Sequence, residues 1–200
     1  NPDSPGFFCV STSYRQEPNA IPGRHDIIFP MFEFEMPGDL NALKKMEYEL
    51  VEYLGFKKPT EKTYADWQNH YGIKYDEELT AEHETKMYED FTTAMITNFP
   101  EMTSPFWNMS RYWDGETSKK IDVILGGMET IGSAERSTNV DQMRDTFHSI
   151  TDGAYSKLLF ELFGKERVEA ELEEFLKFDF FPRVGGGIGM TRMIAALDTI

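Results

Sequence analysis

The sequence predicts an α+β fold, an antiparallel sheet backed by helices. Three observations carry this. Residues 7–36 read as two β-runs joined by a polar loop that contains Gln16-Glu17-Pro18-Asn19 and Pro22-Gly23. A second hairpin is signalled by Gly126-Gly127 between two apolar runs. Between and after these lie stretches whose apolar residues recur at helical spacing.

The elements follow in order. Strand alternation places Ser11, Ser13 and Arg15 on one face of the first run, opposite Val10, Thr12 and Tyr14. In the second run Ile28, Phe32, Phe34 and Met36 share a face, and Phe29, Met31, Glu33 and Glu35 share the other. One face of this hairpin is apolar. The other gathers an arginine, two carboxylates and a ring, with Glu17, Arg24 and His25 in the loop above, a floor suited to an anionic aromatic ligand. Pro37-Gly38-Asp39 starts a helix marked by Leu40, Leu43, Leu50 and Leu54, which ends at Gly55. Residues 57–75 read as a connecting segment with short helical turns. A helix over 80–94 is capped by Thr80, with Glu82 and Glu84 at an exposed start. Residues 95–100 form a short strand, 105–107 an irregular piece, and Asp114-Gly115-Glu116 a turn. Thr138-Asn139 caps a long helical segment that breaks near Gly153 and resumes to Gly164; His148 on it reads as a packing residue. A further helix spans 166–176, and the chain closes, over residues 181–193, on a glycine-rich strand running into a helix.

Composition excludes several classes. Lys and Arg total 20 against 35 Asp and Glu, a net charge of −15, so no basic nucleic-acid footprint dominates. The single Cys9 allows no disulfide within the chain and suits a reducing compartment. No apolar run reaches membrane-spanning length, and no signal peptide is visible. The expectation is a soluble, cytoplasmic protein with no membrane partner. Residues 1–200 read as one domain. The chain opens at Asn1-Pro2-Asp3 without a methionine, and upstream residues are expected.

In the second hairpin, pairing of Leu125 with Met128 sets Ile124 against Glu129 and Asp122 against Ile131, so that Asp122 and Glu129 share a face. Two carboxylates there need a cation or a lysine between them, and oxygen-only ligands suit Mg²⁺ arriving with phosphates. Arg136 has the opposite parity to Glu129 and reaches the same pocket only if Gly132 hosts a bulge. The closing glycines fit neither a dinucleotide fold, since too little chain follows, nor a P-loop, since no Lys-Ser/Thr follows them.

Tyr14-Arg15-Gln16-Glu17, Arg24-His25, Phe29 and Glu33-Phe34-Glu35 resemble motif 2 of the class II aminoacyl-tRNA synthetases, in the aspartyl/asparaginyl branch and its ammonia-dependent asparagine synthetase relative. Asp122, Glu129 and Arg136, at intervals of seven, repeat that branch's spacing. Residues 181–193 resemble motif 3. The resemblance implies a class II synthetase-like antiparallel sheet carrying ATP on one face. It implies that Arg15 holds the α-phosphate, Glu17 faces the adenine side with Arg24 nearby, His25 reaches the outer phosphates, and Phe29 stacks on adenine. Gly187 and Gly189 allow close approach to adenosine, and Arg192 takes the γ-phosphate. Asp122 and Glu129 hold Mg²⁺, Glu33 binds the substrate amino group, and Arg136 grips the substrate side chain. Residues 95–100 and 105–107 would line the amino-acid pocket. The implied activity is aspartate activation by ATP. Thr191, where the tRNA ligases usually carry an acid, favours ammonia over tRNA as acceptor, which makes asparagine the product. A tRNA ligase domain and a non-catalytic regulatory paralogue remain the other readings. The family also implies a homodimer, although motif 1, which builds that interface, is not found in the chain.

Overall fold

The computed structural model describes residues 3–15, 20–24 and 26–200. Seven strands form one sheet: β1 (Phe7–Tyr14), β2 (Ile28–Pro37), β3 (Thr60–Thr63), β4 (Thr93–Pro100), β5 (Thr117–Leu125), β6 (Met128–Glu135) and β7 (Arg183–Gly189). Their spatial order is β1-β2-β7-β6-β5-β4-β3. Every neighbouring pair is antiparallel except β3 with β4. The helices are α1 (Leu40–Tyr53), α2 (Tyr64–Tyr71), α3 (Ala81–Phe91), α4 (Val140–Ser149), α5 (Ala154–Phe163), α6 (Lys165–Leu176) and α7 (Met190–Leu197).

The pleat sorts side chains into two opposite layers. Met95, Ile121, Val123, Leu125, Ile131 and Val184 point to one side and pack with Leu40, Leu43 and Val51 of α1 and Met193 and Ala196 of α7. Ala94, Ile96 and Ile124 point to the other side and meet Tyr64 and Trp67 of α2 and Met87 of α3. α2 and α3 thus cover only the β3–β5 end of that second face. Over β1, β2, β7 and β6 it stays open. A third cluster, with Trp107 at its centre, joins α4 and α6.

Local chemistry sets the helix ends. The Asp39 carboxylate accepts the Ala42 N–H at 2.9 Å and caps α1. Thr80 and His83 form a capping box at the start of α3. That helix stops at Phe91, short of the expected residue 94, because Thr92 takes φ 69° and turns the chain into β4. The 57–75 segment holds a strand as well as a helix. β3 is four polar residues at the sheet edge, too short and too hydrophilic to show a strand pattern, and Trp67 behind it is fully buried, its indole N–H donating to the Met95 carbonyl at 3.1 Å.

One charged group sits deep under the sheet. Glu47 of α1 is fully buried and accepts the Ser133 hydroxyl at 2.5 Å, while its other oxygen has no hydrogen-bond partner. Burial pushes its carboxyl up to about 8 from 4.5, against the pull of the Ser133 hydrogen bond. A raised folded-state value means that this group's contribution is complete below about pH 4.5 and is lost as pH rises through about 8. Stability should therefore fall across that window by up to about 1.4 kcal/mol per pH unit relative to Glu47→Gln, which cannot ionise. Urea melts of both proteins at several pH values check this; parallel stability curves would contradict it.

Candidate functional site

The open part of the sheet floors a cavity of ≈ 580 Å³. Arg15, Arg24, Phe29, Glu33, Glu129, Arg136, Gly187, Gly189 and Arg192 all line it, brought from the loop after β1, from β2, β6 and the residue after it, β7 and α7. The hairpin register explains its first wall. Cys9 pairs with Glu33, Ser11 with Met31 and Ser13 with Phe29, so the expected polar face forms. The Ser11 hydroxyl donates to Glu33 at 2.5 Å, and the Arg15 guanidinium lies 5.1 Å from the centre of the Phe29 ring.

Glycine shapes the floor. An added Cβ at Gly187 would collide with the Met31 methyl. One at Gly186 would stand 2.6 Å from the Gly132 carbonyl and 2.5 Å from the Ser133 Cβ, so β6 and β7 approach as they do only because that side chain is missing.

Cross-bracing fixes the upper wall. Arg24 pairs with Glu84 of α3 and donates to the Gly127 carbonyl at 3.0 Å. Glu84 also accepts the Glu129 N–H at 3.0 Å, and burial pushes its carboxyl up against those contacts. Arg192 donates to the Glu129 carbonyl at 2.6 Å and the Arg24 carbonyl at 3.2 Å. Glu84 is therefore half-buried mortar between three elements, where the sequence suggested an exposed helix start. Nothing in the Glu82-His83-Glu84 run distinguishes it.

The β5–β6 hairpin is bulged. Leu125 pairs with Met128 and Ile124 with Glu129, but Val123 then pairs with Ile131, leaving Thr130 as an extra residue. Asp122 consequently faces Gly132, not Ile131. The bulge falls two residues before the glycine expected to host it, and has the effect expected of it: Glu129, Gly132 and Arg136 all line the cavity. Arg136 donates to Glu35 at 2.7 Å, and Arg183 stands 3.8 Å from the same carboxylate.

Asp122 does not line the cavity. It is buried beside it, with Lys120 Nζ 2.5 Å from Oδ2, and its Oδ1 has no hydrogen-bond partner. Burial and the neighbouring Glu129 raise its carboxyl, with Lys120 opposing. Parity could have revealed Lys120, since residues two apart on a strand share a face. The Gly132 position lies 2.7 Å from Glu129 Oε1 and 3.6 Å from Asp122 Oδ1, measured from where a Cβ would stand. Two hard oxygens around one bare spot fit part of a Mg²⁺ shell. Among the described residues no group of three or more His, Cys, Asp or Glu is placed to hold a metal. Glu17 and His25 lie outside the described residues. Residues 95–100 and 105–107 are not among the cavity's walls. Met95, Ile96 and Phe99 pack in the core, and Trp107 anchors the α4–α6 cluster.

The model of the family "tRNA synthetases class II (D, K and N)" matches residues 5–199. The chain belongs to that family. It is 25% identical over 128 residues, 64% of its length, to the aspartate–tRNA(Asp) ligase of Pyrobaculum aerophilum, of which those residues cover 27%. The asparaginyl-tRNA synthetase of Pyrococcus horikoshii, solved with asparaginyl-adenylate, superposes with TM-score 0.76 at 19% identity, over 95% of this chain and 48% of that one. The aspartyl-tRNA synthetase of Entamoeba histolytica gives 0.72 at 19% identity, over 96% and 45%. The class II synthetase fold is shown, and the chain spans about half the length of these structures. No helix among the described residues is long and apolar enough to cross a membrane.

The glycine floor of this synthetase domain is testable without substrate. Gly186→Ala meets backbone and should cost about 1–3 kcal/mol or more. Gly187→Ala meets only the mobile end of Met31 and should cost clearly less. Urea denaturation ranks them; equal losses would contradict the packing.

Proposed function

We propose that the chain is an adenylate-forming ligase domain that activates aspartate with ATP and passes the aspartyl group to ammonia. The observation that carries the reading is the convergence on one cavity of arginines from the loop after β1 and from α7, the Phe29 ring, the Glu129 carboxylate and the bare glycine strand. ATP fits that chemistry: Phe29 offers a face for adenine, and Arg15 and Arg192 offer guanidiniums for the α- and γ-phosphates. Each Arg192 terminal nitrogen gives one N–H to a backbone carbonyl and retains a second. Asp122 and Glu129 would hold Mg²⁺, which when bound would supply positive charge against the phosphates.

Aspartate would lie between Glu33, for its ammonium, and the Arg136 end, for its side chain. Arg136 and Arg183 share the single carboxylate of Glu35, and burial together with the neighbouring Arg136 lowers Arg183. Two guanidiniums against one carboxylate leave positive charge for a second anion, which favours aspartate. The β-carboxylate attacks the α-phosphorus in line and pyrophosphate leaves. No side chain need act as nucleophile, since positioning and charge stabilisation carry such reactions. The resulting aspartyl-adenylate then takes ammonia, releasing AMP. A net charge of −15 and Thr191 beside Arg192 support ammonia over a polyanionic acceptor.

One observation favours a second reading, asparagine activation in a tRNA ligase. The Arg136–Glu35 pair presents a donor and an acceptor together, which matches an amide. ATP–pyrophosphate exchange with each amino acid separates the two. Aspartate should support exchange, and Arg15→Ala and Arg192→Ala should each lower it roughly a hundred-fold or more with the circular dichroism spectrum unchanged. Exchange with asparagine alone, or wild-type exchange by either variant, would overturn the assignment.

A further inference from the structure

Lys120 pairs across the hairpin with Ala134 and Asp122 with Gly132, so both side chains point to the cavity face of the sheet. Lys120 Nζ lies 2.5 Å from Asp122 Oδ2 and 4.0 Å from the centre of the Phe99 ring. The ammonium is thus held between an anion and a π face. Asp122 is 6% exposed, and its other oxygen, without a hydrogen-bond partner, lies with Glu129 Oε1 around the bare Gly132 position. A buried and a half-buried carboxylate sharing so small a space are costly unless a cation stands with them. Here a lysine of the same strand does so.

We infer that Lys120 is a resident cation: it stands in for a divalent ion on Asp122 when nucleotide is absent, and it turns the free Oδ1 towards Glu129, where the ion arriving with ATP is received. The inference rests on the reading of Asp122 and Glu129 as metal acids. Its consequence is a site that does not load with metal on its own. With Lys120 in place the pair offers two carboxylate ligands, one already engaged by an ammonium, to a cation that wants six and keeps its waters. Phosphate oxygens must complete the shell. Without Lys120 the two carboxylates lose the cation that stands with them, and a divalent ion becomes the readiest replacement. Lys120 is a positioning residue in this scheme and touches no reacting atom.

The test measures Mn²⁺ retained by protein in ultrafiltration for the wild type, Lys120→Arg and Lys120→Met, each with and without β,γ-methylene-ATP. The wild type and Lys120→Arg should retain Mn²⁺ only with the nucleotide. Lys120→Met should retain it without nucleotide, at least roughly tenfold more tightly than the wild type. Its thermal midpoint should rise with Mn²⁺ while the wild-type midpoint does not, and adding Asp122→Asn should abolish both gains. If the wild type behaves as stated but Lys120→Met gains nothing, Lys120 is merely structural and the inference falls while the metal reading stands. If the wild type retains no Mn²⁺ even with the analogue, the metal reading falls and takes the inference with it. Should Lys120→Met fail to fold in metal-free buffer, refolding with and without Mn²⁺ decides: recovery with Mn²⁺ supports the inference, and recovery in neither overturns it.

Discussion

One extra residue in β6 decides what this sheet can do. Strand side chains alternate, so in a regular strand Glu129 and Arg136, seven residues apart, would leave from opposite faces. The bulge resets the alternation once, and Glu129, Gly132 and Arg136 come to line the same cavity. Thr130 helps to hold the irregularity, since its buried hydroxyl donates to the Met128 carbonyl at 3.0 Å. Bulges recur beside active sites because they re-aim side chains at small cost to the ladder. The bare Gly132 next to it leaves room for the Glu129 carboxylate to lie across the strand.

Around that bulge the charges are arranged in pairs, two of which straddle elements. Arg24 with Glu84 ties the loop after β1 to α3; Arg136 with Glu35 ties the end of β6 to β2; Lys120 with Asp122 closes the floor of β5. Each pair is at least partly withdrawn from water, where removing one partner costs far more than the pair contributes. These pairs orient their side chains before any ligand arrives, which is what charge stabilisation in a transition state requires. The same logic explains why Arg192, proposed to meet phosphate, is already held by two backbone carbonyls.

Much of this was legible in the sequence. The polar face of the first hairpin, the two-glycine turn, the shared face of Asp122 and Glu129 and the need for a bulge all follow from period-two alternation and turn chemistry, which act locally. What was not legible depends on distant contacts. Glu84 is one of two glutamates in the Glu82-His83-Glu84 run, and only the packing of α3 against the β6 hairpin singles it out. β3 is a strand because β4 offers it an edge, since Thr60-Glu61-Lys62-Thr63 has no apolar face to announce it. Residues 95–100 and 105–107, assigned to the amino-acid pocket by resemblance, are claimed instead by the core and by the helices around Trp107. A motif fixed the order of these segments but not which side of the sheet their side chains would serve.

We propose that the cavity over β2, β7 and β6 is one continuous adenylate site, with the amino-acid end and the nucleotide end in a single space. Isothermal titration of the chain with a non-hydrolysable aspartyl-adenylate analogue, the sulfamoyl form, tests it most directly. The account predicts that this analogue binds at least roughly a hundred-fold tighter than AMP or aspartate alone, displaces ATP, and loses that advantage in Arg136→Ala. Binding no tighter than AMP, or binding that leaves ATP in place, would contradict it.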